Sequence, residues 1–397
     1  MISLKPERLN VSMSVRLAPF HGLRRILQMR LISEILFLML ISSALFGQSP
    51  DWPVYRGKGD LNGKSELNIP GSPALLWSFN SGGRTKSSPV ISEGIVYFGN
   101  DKGAMTAVDI SGKLKWKTDA GSPVEAPPMI TGNKVIYSTS DGTLRAADKK
   151  SGKVLWTYKA ENQIAGSANI WYSGSKSGIV VGSYDFFLHC VNPETGTSLW
   201  KLETENYING TPAVLSDRIV FGGCDGFVRI VNPLTGKEKD TIEIGVYIAS
   251  SPALSGQFAY FGDYDGNFYC INLSSGKIAW RKQSSPDGGA IMAVPAVGQG
   301  VVIIGNDDKS IYCFNSSDGS LRWKFRTNGS IKSSAVIAGD KVLFGSDDGY
   351  VYIIGVTDGL KNWSFNCGAP VSSSPAITKD KFCILTEDGR LLAFGIK

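Results

Sequence analysis

The sequence predicts an all-β chain, an eight-bladed β-propeller of four-stranded antiparallel blades whose last blade is closed by an N-terminal strand. Three observations carry this. A pattern of short β-type runs beginning at residues 87–117 returns with a period near 40 down to Lys397, and such periods mark stacked or circular repeat architectures. A tryptophan ends almost every unit, at Trp77, Trp116, Trp156, Trp200, Trp280, Trp323 and Trp363, with Asp240 the single departure. The turns do not balance: eight aspartate turns stand against seven glycine turns, because the chain stops before an eighth fourth strand. The orphan run Ala74–Asn80, which carries Trp77, supplies the missing strand.

The chain begins with a different kind of segment. Residues 35–46 (ILFLMLISSALF) are almost wholly apolar and follow Arg24, Arg25 and Arg30. A membrane span needs about 20 apolar residues, so this run reads as the core of a secretory leader. Residues 1–47 are expected to be removed, leaving a propeller of residues 48–397 without a transmembrane span. Cleavage fits the small residues Ser42 and Ala44, or Gly47, and Met13 and Met29 are alternative starts. The chain should then be periplasmic or secreted. No cysteine stands directly after the apolar run, which argues against a lipid anchor. The formal charge of +6 belongs mostly to this leader. The remainder holds 35 basic against 33 acidic residues and no basic run, so no nucleic-acid partner is indicated.

After a Trp-Pro-x-x-Arg-Gly segment (52–57) and a polar connection, each unit follows one plan. A second run of aromatic and β-branched residues, such as IVYFG (95–99), reads as a strand. An aspartate turn follows it, at Asp101, Asp141, Asp185, Asp225, Asp265, Asp307, Asp347 and Asp388. Glycine one or two residues later in most units supplies the positive φ of a tight hairpin. A third run leads to turns such as SGK or TGK, each preceded by Asp or Asn that can bond nearby backbone. The six cysteines do not read as a disulfide framework. Cys190, Cys270 and Cys313 share a repeat slot filled elsewhere by Ala107 and Ala146, the behaviour of a small hydrophobe.

These units resemble the pyrroloquinoline-quinone-type propeller repeat. FGDYDGNFYCINLSSGKIAW (261–280) and YSTSDGTLRAADKKSGKVLW (137–156) match its pattern, and the resemblance spans about residues 51–397. WD-type (WD40-like) propellers fit less well, because no Gly-His or Trp-Asp pairs punctuate the units. The chain is also similar to the propeller lipoproteins of the outer-membrane β-barrel assembly machinery, apart from the missing lipid-attachment cysteine. The resemblance to quinoprotein dehydrogenases implies a quinone beneath a vicinal disulfide, a calcium ion and an aspartate base. This sequence has no adjacent cysteines and no Cys-x-x-Cys-His haem motif, so no catalytic residue, cofactor or metal site is assigned. Beyond the leader the one histidine is His189, on an apolar strand, too little for a triad or a zinc site. The turn aspartates lack calcium-loop spacing, and the Asn-x-Ser/Thr matches reflect a turn-rich composition.

One column of the repeat escapes packing. Aligned on the first strands, Lys86, Glu125, Ala165, Asn209, Ala249, Met292, Lys332 and Ser372 coincide. The column before it is largely apolar and the column after it is uniformly small, as a crowded axis demands. Lys86, Glu125, Asn209 and Lys332 are therefore the candidate binding residues, at the mouth of the central tunnel. An acidic or polar peptide would meet Lys86 and Lys332 as cations, with Glu125 and Asn209 adding polar contacts. The leading reading is an exported, non-catalytic, monomeric scaffold that binds envelope protein. The alternatives are a quinone-binding oxidoreductase or small-ligand sensor using the tunnel, and a structural module of a larger extracellular assembly.

Overall fold

The computed structural model describes residues 51–284 and 288–397; the expected leader lies outside the described residues. The fold is all-β, with eight blades of four antiparallel strands in a ring. Blades 1 to 7 occupy 90–119, 129–159, 169–203, 213–243, 253–283, 296–326 and 336–366. Blade 8 combines Ala376–Thr378, Lys381–Leu385 and Arg390–Gly395 with Ala74–Asn80, which pairs antiparallel to the last of these. The N-terminal strand closes the ring as the turn count required. First strands of neighbouring blades touch, so these line the axis. Among the described residues no helix is long and apolar enough to cross a membrane.

The recurring tryptophan is the joint between blades. The Trp116 indole donates to the Lys149 carbonyl of the next blade at 3.0 Å, and Trp156, Trp200, Trp280 and Trp323 repeat the bond at 2.8–3.1 Å. The ring lies over the turn glycine of that same neighbour. A Cβ on Gly152 would come within 2.7 Å of Trp116, and one on Gly112 within 2.9 Å of Trp77. The SGK-type turn therefore carries glycine for two reasons, its positive φ and the indole above it. Trp77 of the closing strand makes the same bond to Ile110 of blade 1. Trp363 faces blade 8, which has no such turn, and packs instead on Phe365, Phe382 and Phe394. The cysteine slot also belongs to this joint. Cys190, Cys270 and Cys313 pair across the sheet from Trp200, Trp280 and Trp323, where a small residue leaves room. All six thiols are free, and burial pushes those of Cys190, Cys270, Cys313, Cys367 and Cys383 up to about 12.

The Trp-Pro-x-x-Arg-Gly segment does more than connect. Residues 52–63 run around the axis, and six first strands each donate one backbone N–H to it. Ile91 bonds Trp52, Ile130 bonds Pro53, Val214 bonds Gly59, Leu254 bonds Asp60, Val297 bonds Asn62 and Ile337 bonds Gly63, at 2.7–3.0 Å. The six donors hold one repeat position, the second residue after the proline or alanine that opens each first strand. Blade 3 reaches the strap through Asn169, whose side chain donates to the Gly59 carbonyl. Arg56 sits at the hub, 1% exposed, donating to the Ser334 and Pro295 carbonyls of blades 7 and 6. Burial lowers its guanidinium to about 10, so it stays charged at neutral pH.

The aspartate turns need one correction. The residues that accept the backbone N–H two positions on are Asp141, Asp185, Asp225, Asp308 and Asp348. Asp101, Asp307 and Asp347 stand one position earlier, where the repeat elsewhere has Ser140, Tyr184, Cys224, Tyr264 and Glu387. Consecutive acids in blades 6 and 7 and the Asn-Asp pair in blade 1 conceal the true register. Four residues beyond the turn aspartate a polar side chain returns to it: Arg229 to Asp225 at 2.7 Å, Tyr352 to Asp348 at 2.8 Å, and His189 to Asp185 at 3.0 Å. His189 is therefore a member of a structural column. Its other nitrogen meets the Tyr158 hydroxyl at 2.9 Å.

Two outcomes are expected. Arg56→Ala strands two buried carbonyls and empties the hub, so chemical denaturation of the full chain should show a loss on the order of 4 kcal/mol. Burial also lowers the His189 pKa despite Asp185, so the folded chain favours the neutral ring. The unfolded chain takes up its proton near the ordinary value, so this contribution is complete above that value and is lost as pH falls toward the folded one. Melting temperature should drop as pH falls from neutrality through and below the ordinary histidine range, and His189→Tyr, the residue of blades 6 and 7 at this position, should flatten that slope.

Candidate functional site

The lead-in to each first strand is held by close packing. In six of the eight lead-ins the valine or isoleucine before the variable column is buried against the glycine ending the previous blade's second strand. A Cβ on Gly223's neighbour Gly222 would lie 2.5 Å from Ile248, and one on Gly305 the same distance from Ile331. The small column after it forms the inner wall, where a Cβ on Gly166 would strike the Gly210 carbonyl at 2.7 Å. One residue further, hydroxyls stitch blade to blade. The backbone N–H groups of Ser167, Thr211, Ser334 and Ser374 donate to Thr211, Ser251, Ser374 and Ser88. With both flanks fixed, the intervening side chain is directed into the tunnel.

All eight residues of the variable column line one cavity of about 320 Å³, with Tyr55 of the strap at its inner end. The Tyr55 hydroxyl bonds Ser334 at 3.0 Å. Lys86, Glu125, Asn209 and Lys332 thus surround a common space, although their states differ. Lys332 is already engaged, with its ammonium 2.8 Å from Asp347. Glu125 lies 3.5 Å from the Ser140 hydroxyl. Asn209 donates to the Cys224 sulfur at 3.1 Å, and its buried carbonyl oxygen has no protein partner. Lys86 is exposed and forms no ion pair among the described residues. It also borders a recess of about 330 Å³ shared with Arg84, Asp101, Glu125 and Glu387. Among the described residues, no group of three or more His, Cys, Asp or Glu side chains is gathered to hold a metal ion.

The rim of the mouth carries a feature that the column alignment passed over. Six blades place glycine at positive φ in the turn between second and third strands; blade 6 places Lys309 there, at φ 70°, and blade 3 the bulkier Phe186, at φ 74°. Left-handed backbone costs a bulky residue roughly 1–2 kcal/mol, and this ring is not repaid by the core, since it is 39% exposed. It leans on Tyr207, with ring centroids 5.4 Å apart, while Tyr184 stacks on Tyr207 at 4.5 Å. Tyr247 and Tyr264, on the next turns of the rim, are more than half exposed. The sign in the sequence was a phenylalanine in a glycine slot, visible only once the turn register was correct.

The chain is similar to known propellers along most of its length. The family model described as outer membrane protein assembly factor BamB matches residues 70–282 and 265–397. Among curated relatives, BamB of Kangiella koreensis is 25% identical over 137 residues, 34% of each chain. The quinoprotein alcohol dehydrogenase PedH of Pseudomonas putida is 29% identical over 150 residues, 32% of this chain and 25% of that one. The alignments thus span about a quarter to a third of these relatives' own lengths. Among solved structures, BamB from Moraxella catarrhalis superimposes with a TM-score of 0.69 at 17% identity, covering 82% of this chain and 98% of that one. The quinohemoprotein alcohol dehydrogenase from Comamonas testosteroni gives 0.76 at 14%, covering 87% and 80%.

The strain at Phe186 makes a checkable prediction. A core phenylalanine costs about 3–5 kcal/mol when truncated. Phe186→Gly restores the residue that six other blades use and should change stability by no more than about 1 kcal/mol, in the stabilising direction if strain dominates. Urea denaturation of the two full-length chains measures the difference.

Proposed function

Because the chain belongs to the family described as outer membrane protein assembly factor BamB, we propose that it serves as an exported, non-catalytic scaffold that holds a protein partner of the cell envelope against the tunnel mouth. The observation that carries this reading is the aromatic rim: exposed rings on three consecutive blades, one of them in a strained backbone position that packing does not require. A rigid ring that presents variable loops at one end is a common basis for recognition. Large, stiff aromatic side chains give contact area at little entropic cost and are enriched where protein interfaces concentrate their energy. Relatives named as outer membrane protein assembly factors support an envelope setting, as does the leader expected at residues 1–47. Lys86, Glu125, Asn209 and Lys332 then form the polar centre of the contact and the tyrosines its edge.

A second reading draws on the cavity and on the dehydrogenase relatives, PedH and the 30%-identical 1-butanol dehydrogenase (quinone) of Thauera butanivorans. It would place a small ligand in the tunnel. The absence of adjacent cysteines and of a haem-attachment motif in this sequence favours the scaffold.

A photo-crosslinking residue at Tyr247 or Lys86 should yield a discrete adduct with one envelope protein in the producing cell. The same residue at Gln257, at the opposite end of blade 5, should not, and Phe186→Gly should deplete the adduct. Equal adducts from both ends would overturn the mouth as the docking face. Stoichiometric binding of pyrroloquinoline quinone with calcium, accompanied by turnover of an alcohol, would replace this reading with the second.

A further inference from the structure

We propose that the mouth recognises a cationic segment of its partner, one bearing arginine or lysine side chains. This deepens the docking reading above and rests on it. The two ends of the ring differ sharply in charge. At the mouth, the turns between second and third strands and the connections into the next blade hold fifteen carboxylates against five bases among the described residues. At the opposite end, the two sets of turns hold seven of each. Asp141, Asp225, Asp308 and Asp388 are paired with the strand bases Lys159, Arg229, Lys324 and Arg390, which leaves an excess of mouth carboxylates whose backbone N–H bonds shape the turn without cancelling their charge. A field of one sign over a rigid rim raises the encounter rate of an oppositely charged partner and disfavours a like-charged one.

Two of the five bases at the mouth are already paired with mouth carboxylates. Lys332 is bound to Asp347 at 2.8 Å, and Arg84 lies 3.7 Å from Glu387. Of the two lysines expected to meet an acidic or polar peptide, Lys86 alone is therefore uncommitted among the described residues, and it faces an excess of carboxylates. The aromatic rim offers the opposite complement. Phe186 borders a groove of about 760 Å³ between blades 3 and 4, lined also by Glu203, Glu205, Glu238 and Arg229. Arg229 is taken by Asp225 at 2.7 Å and Glu238 at 3.2 Å. Glu203 and Glu205 have no basic side chain within ion-pair distance among the described residues. Two uncommitted carboxylates beside exposed ring faces suit a guanidinium or ammonium, which can stack on an aromatic face while pairing with an acid.

The probe is a fluorescein-labelled peptide alternating arginine and glycine, titrated into the full chain by anisotropy, with a glutamate–glycine peptide as its counterpart. The arginine peptide should bind and the glutamate peptide should not. Raising salt from about 20 to about 200 mM should weaken binding roughly tenfold. Phe186→Gly, and separately Glu203→Gln with Glu205→Gln, should each weaken it about three- to fivefold. The far-end pair Asp318→Asn with Asp358→Asn should leave it unchanged. Binding of the glutamate peptide, no binding of the arginine peptide, or equal loss from the far-end pair would overturn the proposal. If the peptide fails while the Tyr247 adduct persists, the cationic class falls and the docking face stands; if both fail, both fall.

Discussion

Every first strand at the axis of this ring presents backbone N–H groups that no neighbouring strand can accept. A buried, unpaired donor costs on the order of 1–3 kcal/mol, and one repeat position supplies six of them. The strap of residues 52–63 meets that constraint. It explains why a short N-terminal segment contains a buried tryptophan, a buried arginine and two glycines at positive φ, Gly57 and Gly63. Trp52 lies where a Cβ on Gly57 would be, which leaves no room for any other residue there. The perimeter obeys a second rule of the same kind, an indole on one blade bonded to a carbonyl and seated on a glycine of the next. Hub and perimeter together fix the blades so tightly that the loops between them are free to vary.

Much of the ring was legible from the amino acids because its constraints recur. Tryptophan, turn glycine and the small axial column each repeat at a fixed offset, so their spacing alone gives blade number, strand order and closure by Ala74–Asn80. The variable column around Lys86 was legible for the complementary reason: alternation places it in the tunnel and no packing rule restricts it. What repetition could not reveal are the features that occur once. The strap has no counterpart in the repeats, so residues 58–73 read as a polar connection. Phe186 was hidden by the one-residue ambiguity in the aspartate turns, and the engagement of Lys332 depends on Asp347, a residue assigned to the wrong column by that ambiguity. Charge at the mouth was likewise invisible in a nearly neutral total, because the imbalance appears only after the turns are sorted by end.

Framework and mouth thus divide the work. The interior columns accept small, apolar or hydroxyl residues and repeat them. The mouth holds a strained phenylalanine and a band of exposed tyrosines that the fold does not need, beside an excess of carboxylate that only in part serves its turns. Such departures from local consistency are expected where a protein does something besides fold. His189 illustrates the opposite case. A lone histidine hydrogen-bonded to an aspartate and a tyrosine invites a chemical role, yet tyrosine and arginine occupy the same position in other blades and satisfy the same turn.

The strap also sets an order of events in time. Its residues precede every blade in the sequence, but their partners are spread from Ile91 to Ile337, and the strand that follows it must wait for Arg390–Gly395 of blade 8. Contacts of such sequence separation form slowly, because a long loop must close before any of them is gained. The strap can therefore pair with blades 1 and 2 early but is not fully claimed until blade 7 has been produced, and closure of the ring waits for blade 8. A chain truncated late in blade 8 would be left with both of its ends unanchored, a state distinguishable from the finished protein by any protease that waits nearby.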